Sequence, residues 1–275
     1  MLANPWIAAL SALFLWWFST GILLWRVRQA DNAGREAHLW SVLLGLPLLF
    51  AGVLGFLHTR GDASLTGIYG AFLSALAIWG WIELAFLSGV ITGPNRSPCP
   101  RHATPMQRFL RATGTILWHE CLLIATLAIM AMQAQGAANR FAFYTFMVLF
   151  FARISAKLNL FFGVPHINTE FLPTTLAHLP SHFRHARMNA LFPLSITALT
   201  FATACWVERA VTATDPGQST GFWLLTALTA LAALEHWFMV LPLPDQKLWR
   251  WMMPAPAPSL ATPQPDLRKE PTHGL

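Results

Sequence analysis

The chain has 275 residues, of which 18 are Lys or Arg and 12 are Asp or Glu, so charged residues make up only 11%. A soluble protein carries about 25% charged residues, and a chain with 55% hydrophobic residues cannot build a soluble surface from so few charges. The composition also excludes an intrinsically disordered chain, and three cysteines exclude a disulfide scaffold.

Seven segments are apolar enough to predict membrane-spanning helices, since a span takes about 20 residues. In chain order they are Pro5–Trp25, Leu39–Leu57, Leu65–Gly89, Thr115–Met132, Phe141–Phe162, Leu191–Val207 and Gly221–Leu243. The fourth and fifth contain the most polar residues and are the weakest of the seven. The sequence therefore predicts an all-α integral membrane protein, a bundle of about seven transmembrane helices.

The basic residues predict the direction of these spans. No basic residue precedes Pro5, whereas Arg26 and Arg28 follow the first span, which is the pattern of an uncleaved helix rather than a signal peptide. Fifteen of the 18 Lys and Arg fall on one side of the membrane: thirteen on alternate connections and the C-terminal tail, and Arg153 and Lys157 in the adjoining part of the fifth span. The positive-inside rule then places the N-terminus outside and the C-terminus in the cytoplasm. This distribution accounts for the net charge of +6 without any nucleic-acid partner.

The chain divides at its last apolar segment. Residues 1–253 are expected to form the transmembrane helical domain. Residues 254–275 are rich in proline and poor in apolar residues, so we expect a disordered or extended cytoplasmic tail.

Polar residues inside the predicted spans are the main candidates for a functional site, because charge is costly in the membrane interior. By the helix rise of 1.5 Å per residue, those of the third, fourth and seventh spans lie at a common depth, about 8–11 Å from the cytoplasmic end. The fifth span adds further polar residues from its cytoplasmic half. The candidates are Glu83, His119, Glu120, Arg153, Lys157, Asn159, Glu235 and His236.

Several interpretations of this cluster remain open. The charges can act as interhelical ion pairs that fix the packing, or as a ligand, metal or proton site. A ferritin-like di-iron centre needs Glu-x-x-His pairs, and the residues three after the glutamates are Phe86, Leu123 and Phe238, so that pattern fails. A single imidazole suffices as axial ligand of a tetrapyrrole metal, and His119 or His236 is placed for that role beside a tryptophan.

The connection 163–190 is the second concentration of polar residues. Its spacing of His178 and His182 permits metal binding on one helix, but Pro180 between them favours a helix start instead. From Pro180 to Asn189 we expect a cationic segment lying on lipid headgroups or facing an acidic partner. The candidates on this surface are His178, His182, Arg184, His185 and Arg187.

Five segments resemble the PuhE family, photosynthetic-complex assembly membrane proteins of phototrophic Proteobacteria. They extend from the first helix to just past the last. The segments are FLWWFSTG (14–21), GPNRSPCP (93–100), NLFFGVPHINTEFLP (159–173), SHFRHARMNALFP (181–193) and EHWFMVLPLPDQKLWRW (235–251).

The resemblance implies an assembly factor for the photosynthetic reaction centre and its light-harvesting complex in a bacterial inner membrane, with the N-terminus in the periplasm. It implies as partners reaction-centre or antenna subunits and other assembly factors, with bacteriochlorophyll or a precursor as the ligand to expect. The family provides no catalytic residues. Two alternatives stay open: a membrane enzyme of pigment or quinone metabolism that uses the Glu/His cluster, and a proton-coupled transporter.

Overall fold

The computed structural model describes residues 2–170 and 172–242. These residues form eight α-helices and two short 3-10 helices, Thr174–Leu176 and Leu179–His182. The α-helices are α1 (Pro5–Ala33), α2 (Arg35–Leu44), α3 (Leu46–Thr59), α4 (Leu65–Leu87), α5 (Pro105–Ala134), α6 (Phe141–Phe162), α7 (Leu191–Thr212) and α8 (Pro216–Phe238). The predicted proline-rich tail lies outside the described residues.

Six helical stretches of the described chain are long and apolar enough to cross a membrane, with α2 and α3 together forming one of them. The fold is therefore consistent with a multi-pass membrane protein. Both weakly predicted spans are among the six, as α5 and α6. The seventh predicted span forms α8, which is 23 residues long but is not among the six. The total of seven spans and the orientation of the chain stay predictions.

Capping residues fix where these helices begin. The Asn4 and Ser64 side chains accept hydrogen bonds from backbone N–H groups in the first turns of α1 and α4. Thr104 and Gln107 form a reciprocal capping box at the start of α5. This box explains why α5 begins ten residues before the predicted span at Thr115.

The second predicted span is interrupted between α2 and α3. Pro47 lies in the first turn of α3 and has no N–H group to continue the α2 hydrogen-bond ladder. At the junction, Gly45 packs closely on α4: an added Cβ would lie 3.1 Å from the Trp81 ring and 3.2 Å from the Leu84 side chain.

The most buried helix is α4, which contacts α1, α2, α3, α5, α6 and α8. In its most apolar stretch 56% of residues are buried, against 17% in α1 and α7. The outward faces of the surrounding helices carry exposed Leu, Phe and Trp, for example Trp6, Leu54 and Phe201. This distribution fits a bundle whose outer surface contacts lipid and whose centre is α4.

The connection 163–190, here called the strap, folds back onto the ends of α4 and α5. Leu176 and Leu179 of the strap form a small apolar cluster with Phe86 of α4. The strap is also joined to the connection between α4 and α5, because Ser181 Oγ accepts a hydrogen bond from the Cys99 N–H at 2.9 Å.

Two expectations for the strap need correction. Pro180 begins no α-helix: it lies in the four-residue 3-10 helix Leu179–His182, and residues 183–190 are not helical. His182 is also not a surface residue, since it is only 3% exposed. The physical reason is the apolar pair Leu176 and Leu179, which draws this part of the strap onto the bundle.

Candidate functional site

The structure brings the polar residues of α4, α5 and α6 together. The Arg153 guanidinium on α6 donates a hydrogen bond of 3.0 Å to Glu83 Oε2 on α4. One turn further along α6, Lys157 donates to Glu120 Oε1 on α5. Both glutamates are almost enclosed, with side chains 10% and 12% exposed. Each carboxylate is therefore stabilised by a cation from the same face of α6.

His119 lies between the two glutamates. Its Nε2 is 3.7 Å from Glu83 Oε1 and 3.9 Å from Glu120 Oε1, which is too long for a hydrogen bond. The ring is completely buried, with its centroid 4.3 Å from that of Phe86. Neither ring nitrogen has a hydrogen-bond partner in the described part of the chain. The His119 imidazole thus lies within the ion-pair cluster but forms no hydrogen bond to either glutamate.

His236 on α8 is hydrogen-bonded at both ring nitrogens. Its Nδ1 lies 2.8 Å from the Ala232 carbonyl oxygen and therefore donates a hydrogen bond to it. Its Nε2 then accepts a hydrogen bond from the Ser155 hydroxyl at 2.9 Å, which ties α8 to α6. Both His236 and the neighbouring Glu235 line a cavity, together with Arg153.

Asn159 has a different role from the rest of the predicted cluster. It is fully buried, and its side-chain nitrogen donates to Ser195 Oγ at 2.9 Å and to the Ser155 carbonyl at 3.0 Å. Its Oδ1 accepts from Asn189 at 3.1 Å. These bonds join α6, α7 and the end of the strap, so Asn159 is part of the helix packing.

A large cavity lies between α1, α4, α5, α6 and α8 at the strap end of the bundle. Its volume is about 1030 Å³, at the upper end of the roughly 300–1,000 Å³ typical of small-molecule sites. Five residues of the predicted polar cluster line it: Glu83, Arg153, Lys157, Glu235 and His236. The rest of the wall is mainly apolar and includes seven aromatic side chains, Trp16, Trp79, Phe86, Phe109, Phe161, Phe183 and Phe238. The cavity thus combines a large apolar wall with a small charged region.

The strap covers part of this cavity. His166, His182 and His185 line it from the strap, while Arg184 and Arg187 are exposed. His182 Nε2 lies 3.2 Å from the Ser97 carbonyl oxygen. Burial lowers the pKa of His182 below its usual value, although the Ser97 hydrogen bond acts in the opposite direction. Burial thus disfavours the charged form of this imidazole.

His178 lies just before the second 3-10 helix and is half-buried. Burial and the neighbouring His182 and Arg96 lower its pKa. The backbone of the next strap segment is also fixed, because the Arg184 N–H donates to the Leu160 carbonyl at 3.0 Å.

The described residues offer few candidate metal ligands. Among the described residues, no group of three or more His, Cys, Asp or Glu is placed to hold a metal ion. The two histidines expected as axial ligands are also constrained, since both ring nitrogens of His236 are hydrogen-bonded. His119 is enclosed beside Phe86 and does not line the cavity.

Sequence reasoning missed two residues of the site. Ser155 shares a face of α6 with Asn159, and this spacing signals a polar stripe along the helix. Gly80 lies in the cavity wall on α4, where an added Cβ would meet no atom within 4 Å. No pattern in the sequence identifies a glycine that faces open space.

Comparison with known proteins gives the family. Residues 2–259 match DUF3623, described as a protein of unknown function, and the chain belongs to that family. Over 265 residues it is 60% identical to an uncharacterized 30.4 kDa protein in the puhA 5′ region of Rhodobacter capsulatus, which covers 95% of this chain and 97% of the relative. No solved structure matches the chain. The support for the resemblance to the PuhE family is thus the puhA region in the name of this relative.

Proposed function

We propose that this protein is a membrane assembly factor for the photosynthetic reaction centre and its light-harvesting complex, and that its cavity takes up bacteriochlorophyll or a precursor. The observation that carries the proposal is the cavity of about 1030 Å³, which is large enough for a bulky ligand and has a mainly apolar wall that includes seven Phe and Trp side chains. The puhA-region location in the relative's name supports a photosynthetic role.

The charged region of the cavity suits an amphiphilic ligand. The Arg153 side chain is 39% exposed although it binds Glu83, so part of its guanidinium remains available to an acidic group. Glu235 lies in the same wall and supplies an acceptor for a hydrogen-bond donor of the ligand. The aromatic side chains would then contact the flat apolar body of the ligand.

Gly80 provides a direct test. The gene is deleted in its host and restored as the wild type, as Gly80→Ala or as Gly80→Phe. Deletion should lower the near-infrared absorption of assembled complexes in isolated membranes. Gly80→Ala should restore it, because the methyl group meets no atom. Gly80→Phe should fail to restore it because the ring occupies part of the cavity, with an immunoblot confirming that the protein is present.

Two results would contradict the proposal. Normal amounts of assembled complex in the deletion strain would remove the assembly role. Full restoration by Gly80→Phe would show that the cavity is not used. The absorption spectrum and metal content of the purified wild-type protein give an independent measurement, since a red-shifted bacteriochlorin band is the expected result.

A membrane enzyme of pigment or quinone metabolism is the second candidate, and the Ser155–His236 pair favours it. The Ser155 hydroxyl donates to His236 Nε2, while the Ala232 carbonyl orients the ring. A hydroxyl beside an oriented imidazole is the arrangement that activates a nucleophile. Ser155→Ala should then cause a precursor to accumulate in pigment extracts while the protein level is unchanged. If the protein is an assembly factor without enzymatic activity, we expect no such precursor to accumulate.

A further inference from the structure

The charged residues that line the cavity differ in whether they are already bound. Glu83 accepts a hydrogen bond from Arg153. Lys157 donates to Glu120 in the same way. Glu235 forms no hydrogen bond or ion pair with the described residues, and neither of its carboxylate oxygens is enclosed. Its carboxylate is therefore an acceptor that is open to the cavity.

The Arg153 guanidinium supplies a donor that is open to the same cavity. Its hydrogen bond to Glu83 uses Nη2, and its Nε is enclosed. Nη1 forms no hydrogen bond within the described chain and is not enclosed, and the side chain as a whole is 39% exposed. The N–H groups of Nη1 are therefore available to a ligand without any movement of the protein.

These two open groups lie at the same level on neighbouring helices. Arg153 is two residues before Ser155 on α6, and Glu235 directly precedes His236 on α8. The hydrogen bond of 2.9 Å between Ser155 and His236 holds the two helices together at this level. The Arg153 charge is also near enough to attract the Glu235 carboxylate. One chemical group of a ligand can therefore contact both.

The charge balance of the cluster favours a ligand group that brings both an acceptor and a proton. Among the described residues, three glutamates of the cluster face two Lys and Arg side chains, so Glu235 has no cation of its own. A ligand carboxylate would add a second negative charge beside Glu235, and two adjacent carboxylates do not both stay ionised. A carboxyl group with one proton satisfies both open groups: an oxygen accepts from Arg153, and the proton is shared with Glu235. An ester has no such proton and leaves Glu235 without a donor.

We propose that Arg153 and Glu235 together recognise a free carboxyl group on a flat, mainly apolar ligand; this inference rests on the proposed function and names its class of ligand. That class is a macrocycle with an unesterified carboxylic acid side chain, whose body lies against the apolar wall. In the order of the chemistry, such a ligand precedes any step that esterifies this side chain. Among the ligands of the proposed function, a precursor with a free acid therefore fits, and a pigment esterified at that position does not.

An acid and its ester separate recognition of the carboxyl group from packing of the macrocycle. The purified full chain in detergent is titrated with protoporphyrin IX, whose side chains include propionic acids, and with its dimethyl ester. Calorimetry in two buffers of different ionisation enthalpy at about pH 8, where free carboxyl groups are ionised, counts the protons taken up on binding. The wild type should take up about one proton with each bound acid and none with the ester, because the shared proton is needed only for the acid.

Two variants assign these effects to the two residues. Glu235→Ala should bind the acid without taking up a proton, since the second carboxylate is gone. The double variant Glu83→Gln/Arg153→Gln removes the cation together with its partner and so leaves no unpaired charge. It should lower the ratio of acid affinity to ester affinity about 10- to 100-fold, the range for one hydrogen bond to a charged group. Comparing this ratio between proteins cancels the different partition of the two probes into detergent.

A matched control and a folding check complete the test. Glu208→Ala removes an exposed acid of α7 outside the cavity and should keep both the proton uptake and the affinity ratio of the wild type. Thermal-unfolding curves show that each variant is folded. Acid binding by the wild type without proton uptake, or uptake that persists in Glu235→Ala, would overturn the inference. An unchanged affinity ratio in the double variant would do the same.

The inference and the proposed function can fail separately. Tight binding of both probes without proton uptake would keep the macrocycle in the cavity and overturn recognition of the carboxyl group. Carboxyl-dependent binding in a protein whose deletion leaves the photosynthetic complexes intact would retain that recognition and remove the assembly role. No binding of either probe by the folded wild type would overturn the inference and remove the ligand from the proposed function.

Discussion

The two ends of the helical bundle are built differently. At the end formed by residues 60–64, 135–140 and 213–215, here called the closed end, backbone segments touch directly. An added Cβ on Gly67 would lie 2.3 Å from the Asp62 carbonyl oxygen, and one on Gly217 would lie 2.4 Å from the Ala63 carbonyl oxygen. The buried Asn139 amide donates to the Asp62 and Gly67 carbonyls at 2.8 and 3.0 Å.

The strap end also has a close backbone contact, since an added Cβ on Gly93 would lie 2.1 Å from the Gly114 carbonyl oxygen. It differs from the closed end because it encloses the cavity and the ion-pair cluster. Several of its buried polar atoms have no hydrogen-bond partner within the described chain, among them Glu83 Oε1, both nitrogens of His119 and His182 Nδ1. Such atoms are costly for stability. The comparison therefore assigns stability to the closed end and a ligand-related function to the strap end, and the predictions below test that division.

The largest expected effect lies in the ion pair of Lys157 with Glu120. Lys157→Met leaves a carboxylate that is 12% exposed without its cation, and Glu120→Gln leaves a lysine that is 18% exposed. Each single change should lower the free energy of unfolding in detergent by about 3–5 kcal/mol, the range for a broken buried pair. The double variant should recover much of the loss, since no unpaired charge remains.

The control for the Lys157 and Glu120 variants lies at the closed end. Arg60 donates to Gln133 at an exposed position, so Arg60→Gln should change the unfolding free energy by no more than about 0.5 kcal/mol. Additive losses in the Lys157/Glu120 double variant would contradict direct coupling of the pair.

The second prediction compares glycines at the two ends. Gly67→Ala places a methyl group against backbone and should cost about 3 kcal/mol of unfolding free energy, the upper part of the usual range for overpacking. Gly80→Ala meets no atom and should stabilise α4 by about 0.5–1 kcal/mol, because alanine is the better helix former. Chemical denaturation of both proteins in the same detergent makes the comparison. Equal effects at the two sites would mean that the cavity wall is as tightly packed as the closed end.

The third prediction concerns the buried hydrogen bonds that Asn139 forms at the closed end. Asn139→Ala removes a side-chain amide that is only 3% exposed and that donates hydrogen bonds to two carbonyl oxygens. The expected loss of about 2 kcal/mol follows from leaving buried carbonyls unpaired. Asn32→Ala, at an exposed position near the end of α1, is the matched control and should change stability by less than about 0.5 kcal/mol. An unchanged stability of the Asn139→Ala variant would contradict the division between the ends.

The sequence was informative where a single helix carries the signal. Hydropathy located the six helical stretches that are long and apolar enough to span. The helix rise placed Glu83 and Glu120 at one depth, and their partners Arg153 and Lys157 were expected from the cytoplasmic half of the fifth span. Each of these inferences needs only local periodicity and the high cost of charge in a membrane.

The rest depends on contacts between distant segments. The spacing of His178 and His182 gave no indication that Leu176 and Leu179 would pack on Phe86 and bury His182. The carbonyl of Ser97, about 85 residues away, fixes the His182 tautomer, and no side-chain pattern encodes a backbone partner. The cavity itself is a property of how five helices pack, so it was not predictable from any one of them.

The smallest expected effect is a difference in acid sensitivity between the ends. Burial lowers the pKa of His182 below 6.5, so the folded strap binds its proton less readily than the unfolded chain does. The stability linked to His182 is complete above pH 6.5 and declines as the pH falls below it. His178, whose pKa is lowered by burial and by His182, acts in the same direction.

At the closed end the corresponding group is Asp62, whose pKa is lowered from 3.8 by hydrogen bonds with Ser64. Its contribution is present above pH 3.8 and is lost only as the pH falls through the lower folded value. Between pH 6.5 and 4, hydrogen exchange measured relative to the intrinsic rate at each pH should therefore accelerate in the strap and stay unchanged around Asp62. His182→Gln should reduce the acceleration, with the remainder due to His178. Equal acceleration at both ends would mean that acid acts on the bundle as a whole, because a local effect of His182 reaches only the segments that the strap covers.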